Sequence, residues 1–262
     1  MLSVVWRYRH FILSSVKREF QVRYMNSVLG GLWAIINPMA MIAVYTLIFS
    51  QLMQARLPGQ TGTSYAYGIY LCSGLLLWTL FSEIAGRNTQ IFLEQGNLIK
   101  KMNFPKICLP VIVSLTAFLN FGIVFLLFLG FLAITSNLPG LALLGLVPAL
   151  LTLLVFATGL GISLGVMNVF FRDVGHFFSV FLQFWFWLTP VVYTIEIVPN
   201  QFRFLIEMNP LMPVMKASQM IFVNNQVLAL HTLAVPFGLG VALCIFGLIQ
   251  FKKRAGEMVD EL

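Results

Sequence analysis

Six long apolar stretches alternate with short polar connections along this chain. Most of them have at least the roughly 20 residues that a helix needs to cross about 30 Å of hydrocarbon, and the fifth is shorter. The pattern therefore predicts an all-α membrane protein with six transmembrane helices. The stretches cover residues 29–53, 65–91, 107–135, 141–171, 176–193 and 230–251.

The first 28 residues carry a different pattern, in which apolar residues recur every three or four positions. Val5, Tyr8, Ile12, Val16 and Phe20 form one face, and basic residues occupy the positions between them. This spacing predicts an amphipathic helix at the membrane interface. The alternative is a simple orienting arm, which needs charge but no helical periodicity. The predicted domains are this interface helix (1–28), a transmembrane domain (29–252) and a cytoplasmic tail (253–262).

The basic residues predict the orientation of the chain. Twelve of the sixteen Lys and Arg residues lie in the N-terminal arm, in the tail, and in the connections after the second and fourth stretches, and a thirteenth, Arg87, lies near the cytoplasmic end of the second stretch. Under the positive-inside rule these segments, and both termini, face the cytoplasm. With 59% hydrophobic and 10% charged residues, the chain does not have the composition of a soluble domain. The net charge of +7 is explained by orientation and anionic lipid, so no nucleic-acid partner is expected.

Few polar residues interrupt the stretches. Glu83 and Arg87 stand four apart on one helical face, in the favourable order for an ion pair. Stabilising the helix end and a functional role both remain open for this pair. In the fourth stretch Gly159, Gly161 and Gly165 have the small-residue spacing that lets helix backbones approach closely in lipid.

The cytoplasmic connection after the second stretch reads NLIKKMNFPKICLP, from Asn97 to Pro110. It predicts a short helix with Leu98, Ile99 and Met102 on one side, broken at Phe104-Pro105 because the residue before proline avoids the helical region. An exposed, cationic and partly apolar helix suits docking into a soluble partner. A link held by lipid headgroups is the alternative, and the residues alone leave both open.

The fifth stretch is dense with aromatic residues. Phe177, Phe181, Phe184 and Trp185 are predicted to share one helical face. Such residues are usually lipid-facing belts, but several lie near mid-span, where they could line a path for sugar rings. Residues 194–229 are too polar and proline-broken to span, and short helices that re-enter the membrane from the outer side are predicted there.

The sequence also lacks several kinds of site. It contains no GxxxxGK[ST] motif, so no ATP binding through a P-loop is expected. His10, His176 and His231 have no metal-ligand spacing, and the cysteines form no CxxC pair. We therefore expect no catalytic residue, metal or cofactor in this chain. If it moves a substrate uphill, the energy comes from another subunit.

Three segments resemble the recurrent stretches of type-2 ABC exporter permeases for polysaccharides and polyol phosphates. They are KREFQVRYMNSVLGGLWAIINP (Lys17–Pro38), NLIKKMNFPKICLP (Asn97–Pro110) and VFFRDVGHFFSVFLQFWFWLTPVVY (Val169–Tyr193). Their order and spacing also match, so the resemblance covers essentially the whole chain.

The resemblance implies a membrane subunit that works as a homodimer with two copies of a separate ATPase, which binds the ATP and Mg. Its substrate would be a lipid-linked polysaccharide, such as O-antigen on undecaprenyl diphosphate, crossing the bacterial inner membrane. Arg172-Asp173 matches the family's cytoplasmic-turn motif, and the outward segment corresponds to its re-entrant gate helices. The residues that would couple to the ATPase are Asn97, Leu98, Ile99, Lys100, Lys101 and Pro105.

Two further hypotheses concern the substrate's route. Arg18, Arg23 and Arg172 are candidates for meeting the lipid pyrophosphate at the cytoplasmic entrance, because guanidinium groups donate bidentate hydrogen bonds. Phe181, Phe184, Trp185 and Trp187 are candidates for the glycan path. The alternatives are an exporter of capsule, teichoic acid, drugs or small lipids on the same architecture, and a non-transporting scaffold for glycan assembly.

Overall fold

The computed structural model describes residues 6–25, 30–48, 65–101 and 104–261, and the regular elements among them are helical. Short 3₁₀ turns cover Gly30–Leu32, Gly140–Gly145, Ile195–Ile197 and Leu230–Leu233. In chain order the helices are α1 (Arg9–Met25), α2 (Trp33–Thr46), α3 (Ala66–Glu94), α4 (Gly96–Lys101), α5 (Cys108–Ile134), α6 (Leu146–Phe170), α7 (Asp173–Leu188), α8 (Asn200–Glu207), α9 (Met212–Asn224), α10 (Ala234–Arg254) and α11 (Glu257–Glu261).

Among the described residues, four helical stretches are long and apolar enough to cross a membrane: Ala66–Glu94, Cys108–Ile134, Gly140–Phe170 and Leu230–Arg254. They correspond to the second, third, fourth and sixth predicted spans. The predicted first span extends beyond the described residues, which contain the shorter apolar helix Gly30–Thr46. The predicted outward turn of residues 54–64 lies outside them. The fifth predicted span corresponds to α7, which has 16 residues. It is about 24 Å long, which is less than the hydrocarbon thickness of about 30 Å. The count of six spans therefore stays a prediction.

Helix α6 lies between α3 and α10, and glycines set its close approach to both. A Cβ at Gly161 would lie 2.5 Å from Asn88 Cβ, and one at Gly165 would lie 2.4 Å from the Asn88 carbonyl oxygen. On the α10 side, a Cβ at Gly159 would lie 2.6 Å from the Cys244 nitrogen. The predicted small-residue pattern thus serves two different contacts, because glycines two residues apart face opposite sides of a helix. Lipid is as apolar as a leucine side chain, so such close packing is what holds these helices together.

Helix α1 has the buried face that its periodicity predicts. Ile12 and Val16 are buried, and they pack against Cys108 and Ile112 at the start of α5. The ring of Phe11 lies 5.3 Å from that of Phe104. This face is therefore covered largely by protein, while Leu13 and Val22 on other faces are exposed.

The segment after α7 contains two short helices, α8 and α9, in the region 194–229 where the sequence predicts short helices. It is fastened to the first half of α3. Tyr70 donates a hydrogen bond to the Tyr193 carbonyl (2.9 Å), and Ser218 donates one to the Ser73 carbonyl (3.1 Å). Gln219 donates to the carbonyl of Pro190, two residues after the end of α7 (2.9 Å). The depth of these helices in the membrane stays a prediction.

Candidate coupling face and aromatic helix

A polar cluster around Arg87 joins α1, α3 and α5. The Arg87 guanidinium on α3 pairs with Glu83 (3.5 Å) and also with Glu19 of α1. Thr116 of α5 donates a hydrogen bond to Glu19 (3.2 Å), and Asn120 donates one to Glu83 (3.0 Å). The predicted Glu83–Arg87 pairing is confirmed, and its contacts extend beyond α3. The cluster fastens the interface helix α1 to the membrane bundle.

Helix α4 presents a basic face and keeps one apolar residue inside. Asn97, Lys100 and Lys101 are exposed, whereas Ile99 is only 4% exposed. Ile99 belongs to a core cluster with Phe92, Leu109, Val113, Phe251 and Met258. Leu98 and Pro105 are half-buried, and Met102 lies outside the described residues. The predicted apolar side of this element therefore faces the protein, so its surface is mainly polar and cationic.

The segment after α10 packs against the core cluster that contains Ile99 of α4. Met258 of α11 is fully buried in the same cluster as Ile99. The Lys106 ammonium donates a hydrogen bond to the Ala255 carbonyl (2.9 Å), and burial lowers the pKa of Lys106. Helix α10 runs to Arg254, so the predicted domain boundary at residue 253 falls inside a helix. Residues after that boundary pack on the bundle, and no sequence signal had marked Met258.

The turn between α6 and α7 is built on a buried asparagine. The Asn168 side chain donates to the Thr89 carbonyl (2.9 Å) and accepts from the backbone N–H of Gly175 (2.8 Å). A Cβ at Gly175 would lie 2.3 Å from the Gln90 side-chain nitrogen, which explains the glycine. These contacts leave Arg172 and Asp173 exposed at the turn. Asp173 begins α7, where a negative charge is favoured by the helix dipole.

The predicted entrance cations are only partly placed. Arg18 is exposed and lines a crevice of about 280 Å³ between α1, α3 and α5, together with Glu19, Arg87 and Glu94. The side chain of Arg23 lies outside the described residues. Arg172 does not line that crevice. Within one chain, the structure does not bring the predicted entrance residues together in this crevice.

One predicted path residue, Trp185, points into the bundle. Its indole N–H donates to the Asn209 side-chain oxygen (3.0 Å), and its ring meets that of Phe81 edge-on at 5.2 Å. Asn209 also donates to the Thr189 hydroxyl (2.8 Å) at the end of α7. Trp185 therefore does not share the exposed face of Phe177 and Phe184, with which the sequence pattern groups it. It anchors the segment between α8 and α9, and Asn209 is a partner that sequence reasoning missed.

The other predicted path residues lie on or beside the outer face of α7. Phe184 and Trp187 are 66% and 63% exposed, and Phe177 is 73% exposed. Phe177 precedes Phe184 by about two helical turns and Trp187 by about three. Phe181 is at the margin, with its ring 5.1 Å from that of Trp185. We call the exposed set of Phe177, Phe184 and Trp187 the aromatic face. It offers flat apolar surfaces at helical spacing.

Taken together, these features define a helical protein of the membrane class, with several helices long and apolar enough to cross a bilayer, a basic face on α4 and an exposed aromatic face on α7. The chain belongs to the ABC-2 type transporter family, whose characteristic sequence matches residues 10–223. The match includes α1, α4, the Arg172–Asp173 turn and the aromatic face, so these features lie within the family's common domain.

Relatives with established names are similar over most of their length. An O-antigen export system permease protein RfbA from Klebsiella pneumoniae is 29% identical over 237 residues, covering 90% of this chain and 88% of the relative. One from Myxococcus xanthus is 28% identical over 264 residues, covering 100% and 99%. The polysialic acid transport protein KpsM from Escherichia coli is 22% identical over 203 residues, covering 77% of each.

Proposed function

We propose that this chain is the membrane-spanning permease subunit of an ABC exporter that moves lipid-linked polysaccharide, specifically O-antigen on undecaprenyl diphosphate. One observation carries the proposal. Similarity to an O-antigen export permease extends over 100% of this chain and 99% of the relative. The permease is placed in the inner membrane with both termini in the cytoplasm, as its basic residues indicate.

The energy for export comes from two copies of a separate ATPase, which dock on α4. The exposed Lys100 and Lys101 support this assignment, because they give the element a cationic surface that complements an acidic cleft. Ile99 supports it in another way. Its buried side chain ties α4 to α3, α5 and α10, so a push on α4 is transmitted to membrane-crossing helices.

Two copies of the chain form the translocation channel between them. The outward faces of α2 and α7 favour this arrangement. On α2, Ile35, Ile36 and Met39 are exposed, and on α7 the aromatic face is exposed. Sugar rings stack on flat apolar surfaces without requiring one particular sugar. The aromatic face thus suits a polymer that slides through.

The pyrophosphate end of the carrier lipid binds cationic residues at the cytoplasmic entrance. Arg18 and Arg172 are exposed on cytoplasmic elements under the proposed orientation. Arg23 is the third candidate by sequence. Guanidinium groups recognise phosphate oxygens through paired hydrogen bonds, which a Lys replacement would not reproduce. With two subunits, each entrance residue is present twice around the channel.

A capsule polymer is the second candidate cargo. It is favoured by the 22% identity to a polysialic acid transport protein. The sugar composition and the carrier lipid of the lipid-linked intermediate distinguish the two cargoes.

Deleting this chain in its native host tests the proposal. We expect surface polymer to disappear and its lipid-linked form to accumulate inside the cell, as measured by lipid extraction and mass spectrometry. Restoring the chain from a plasmid must reverse both effects. Normal surface polymer without accumulation would refute export of a glycan, and would favour a drug exporter or an assembly scaffold.

A further inference from the structure

A cavity of about 370 Å³ lies between α2, α3 and α5, apart from the aromatic face. On α3 it extends from Cys72 to Glu83, about 16 Å along the helix axis, and on α5 it extends from Ala117 to Val124. These segments occupy the middle of two membrane-crossing helices. The cavity therefore lies at the depth of the hydrocarbon.

The cavity walls are apolar along most of their length. Its size is within the 300–1,000 Å³ range of ordinary small-molecule sites. Pro38 of α2 lines it, at the point where proline removes a backbone hydrogen bond from the helix. The apolar side chains that line it include Met41, Ile42, Leu75, Leu76, Phe121 and Val124.

One end of the cavity is polar and has an unmet hydrogen-bond acceptor. The Asn120 amide nitrogen donates to Glu83 at 3.0 Å, which fixes the orientation of the amide. The Asn120 Oδ1 atom is buried and accepts no hydrogen bond from the described residues. Leaving a buried acceptor unpaired costs about 1–3 kcal/mol, so a donor at this position is favoured. Glu83, which also lines this end, presents acceptor oxygens too.

We propose that this cavity binds a single-chain amphiphile whose head is non-anionic and donates a hydrogen bond. The hydrocarbon chain would lie along the apolar walls, and the head would donate to Asn120 Oδ1. An anionic head is disfavoured, because it would meet the Glu83 carboxylate and an amide oxygen that only accepts. The site is separate from the proposed pyrophosphate entrance, and it does not depend on the export function.

The test uses the purified full chain in lipid nanodiscs and a 16-carbon alcohol that carries a diazirine in its chain. After illumination, labelled peptides are identified by mass spectrometry, and unlabelled hexadecanol competes for the site. We expect saturable labelling of peptides from α3 and α5. Asn120→Leu should raise the half-saturating concentration about five- to tenfold, as loss of one hydrogen bond implies.

Two tryptophan variants locate the site independently of the asparagine. Thr79→Trp places a large ring in the cavity from an exposed position and should abolish saturable labelling. Leu119→Trp, on an exposed position of α5 that does not line the cavity, should leave it unchanged. Unsaturable labelling that is equal in all variants would overturn the proposal, since it would report surrounding lipid only. Equal competition by palmitate would overturn the assigned head chemistry.

Discussion

The close crossing of α3 and α6 predicts a large effect from a single methyl group. In Gly165→Ala the new Cβ would lie 2.4 Å from the Asn88 carbonyl oxygen and 3.2 Å from the Phe92 ring. Ordinary van der Waals contact begins near 3.4 Å. The nearest atom belongs to the backbone of a helix, so it cannot rotate away. The two helices must therefore separate by about 1 Å.

The magnitude follows from two opposing effects. Overpacking a tight contact costs about 1–3 kcal/mol, and replacing glycine by alanine inside a helix returns about 0.5–1 kcal/mol. With the middle of each range, the net destabilisation is about 1 kcal/mol. For a chain of this size each kcal/mol lowers the unfolding temperature by about 2–4 °C. We expect Gly165→Ala to unfold about 2–4 °C below the unaltered protein.

The assay heats the protein in detergent and measures the height of the monodisperse peak in size-exclusion chromatography at each temperature. The matched control is Gly122→Ala in α5, where a Cβ meets no atom within 4 Å. This control should unfold at the same or a slightly higher temperature. Equal destabilisation of both variants would refute the close-packing argument, because the effect would then come from glycine replacement in general.

Three further predictions concern the described surfaces. Reversing charge on α4 with Lys100→Glu and Lys101→Glu together should reduce copurification of the ATPase at least tenfold, because the docking surface is cationic. Phe184→Ala with Trp187→Ala should slow polymer export, measured as surface polymer over time, while the ATPase still copurifies. Arg87→Ala should lower the unfolding temperature in detergent, because it removes the guanidinium that pairs with both Glu19 and Glu83 and costs about 1–3 kcal/mol at this half-buried site.

Each of these has a control or a contrary outcome. Lys252→Glu with Lys253→Glu changes the same charge at other exposed positions after the sixth predicted span, and an equal loss of ATPase would contradict docking at α4. Unchanged export in the double aromatic variant would contradict a sugar path on that face. An unfolding temperature unaffected by Arg87→Ala would show that α1 is held by its apolar contacts alone.

Run length and periodicity predict the long helices well. The predicted spans that correspond to α3, α5, α6 and α10 are long and mostly apolar, and a helix is the way such a run satisfies its backbone in lipid. The fifth predicted span was the shortest in the sequence, and it corresponds to the short helix α7. Periodicity likewise placed Ile12 and Val16 on one face of α1, although it could not reveal that α5 covers this face.

Side-chain partners were harder to predict because they depend on distant segments. Glu19 is the single acidic residue in the first 28, which marks it as unusual, but its partner Arg87 lies 68 positions away. In a helix as short as α4, spacing groups Leu98 with Ile99 without saying which side is buried. Trp185 belongs to a run of aromatics, and only the fold shows that it turns inward to Asn209.

The packing of Met258 against the same cluster as Ile99 has a consequence for biogenesis. Residues 257–261 leave the ribosome after every other described element, so the support beneath α4 is completed last. Until then the apolar surface around Ile99 lacks one wall, and α4 is held less firmly in its final position. Under the proposed docking at α4, assembly with the ATPase would therefore follow the synthesis of α11.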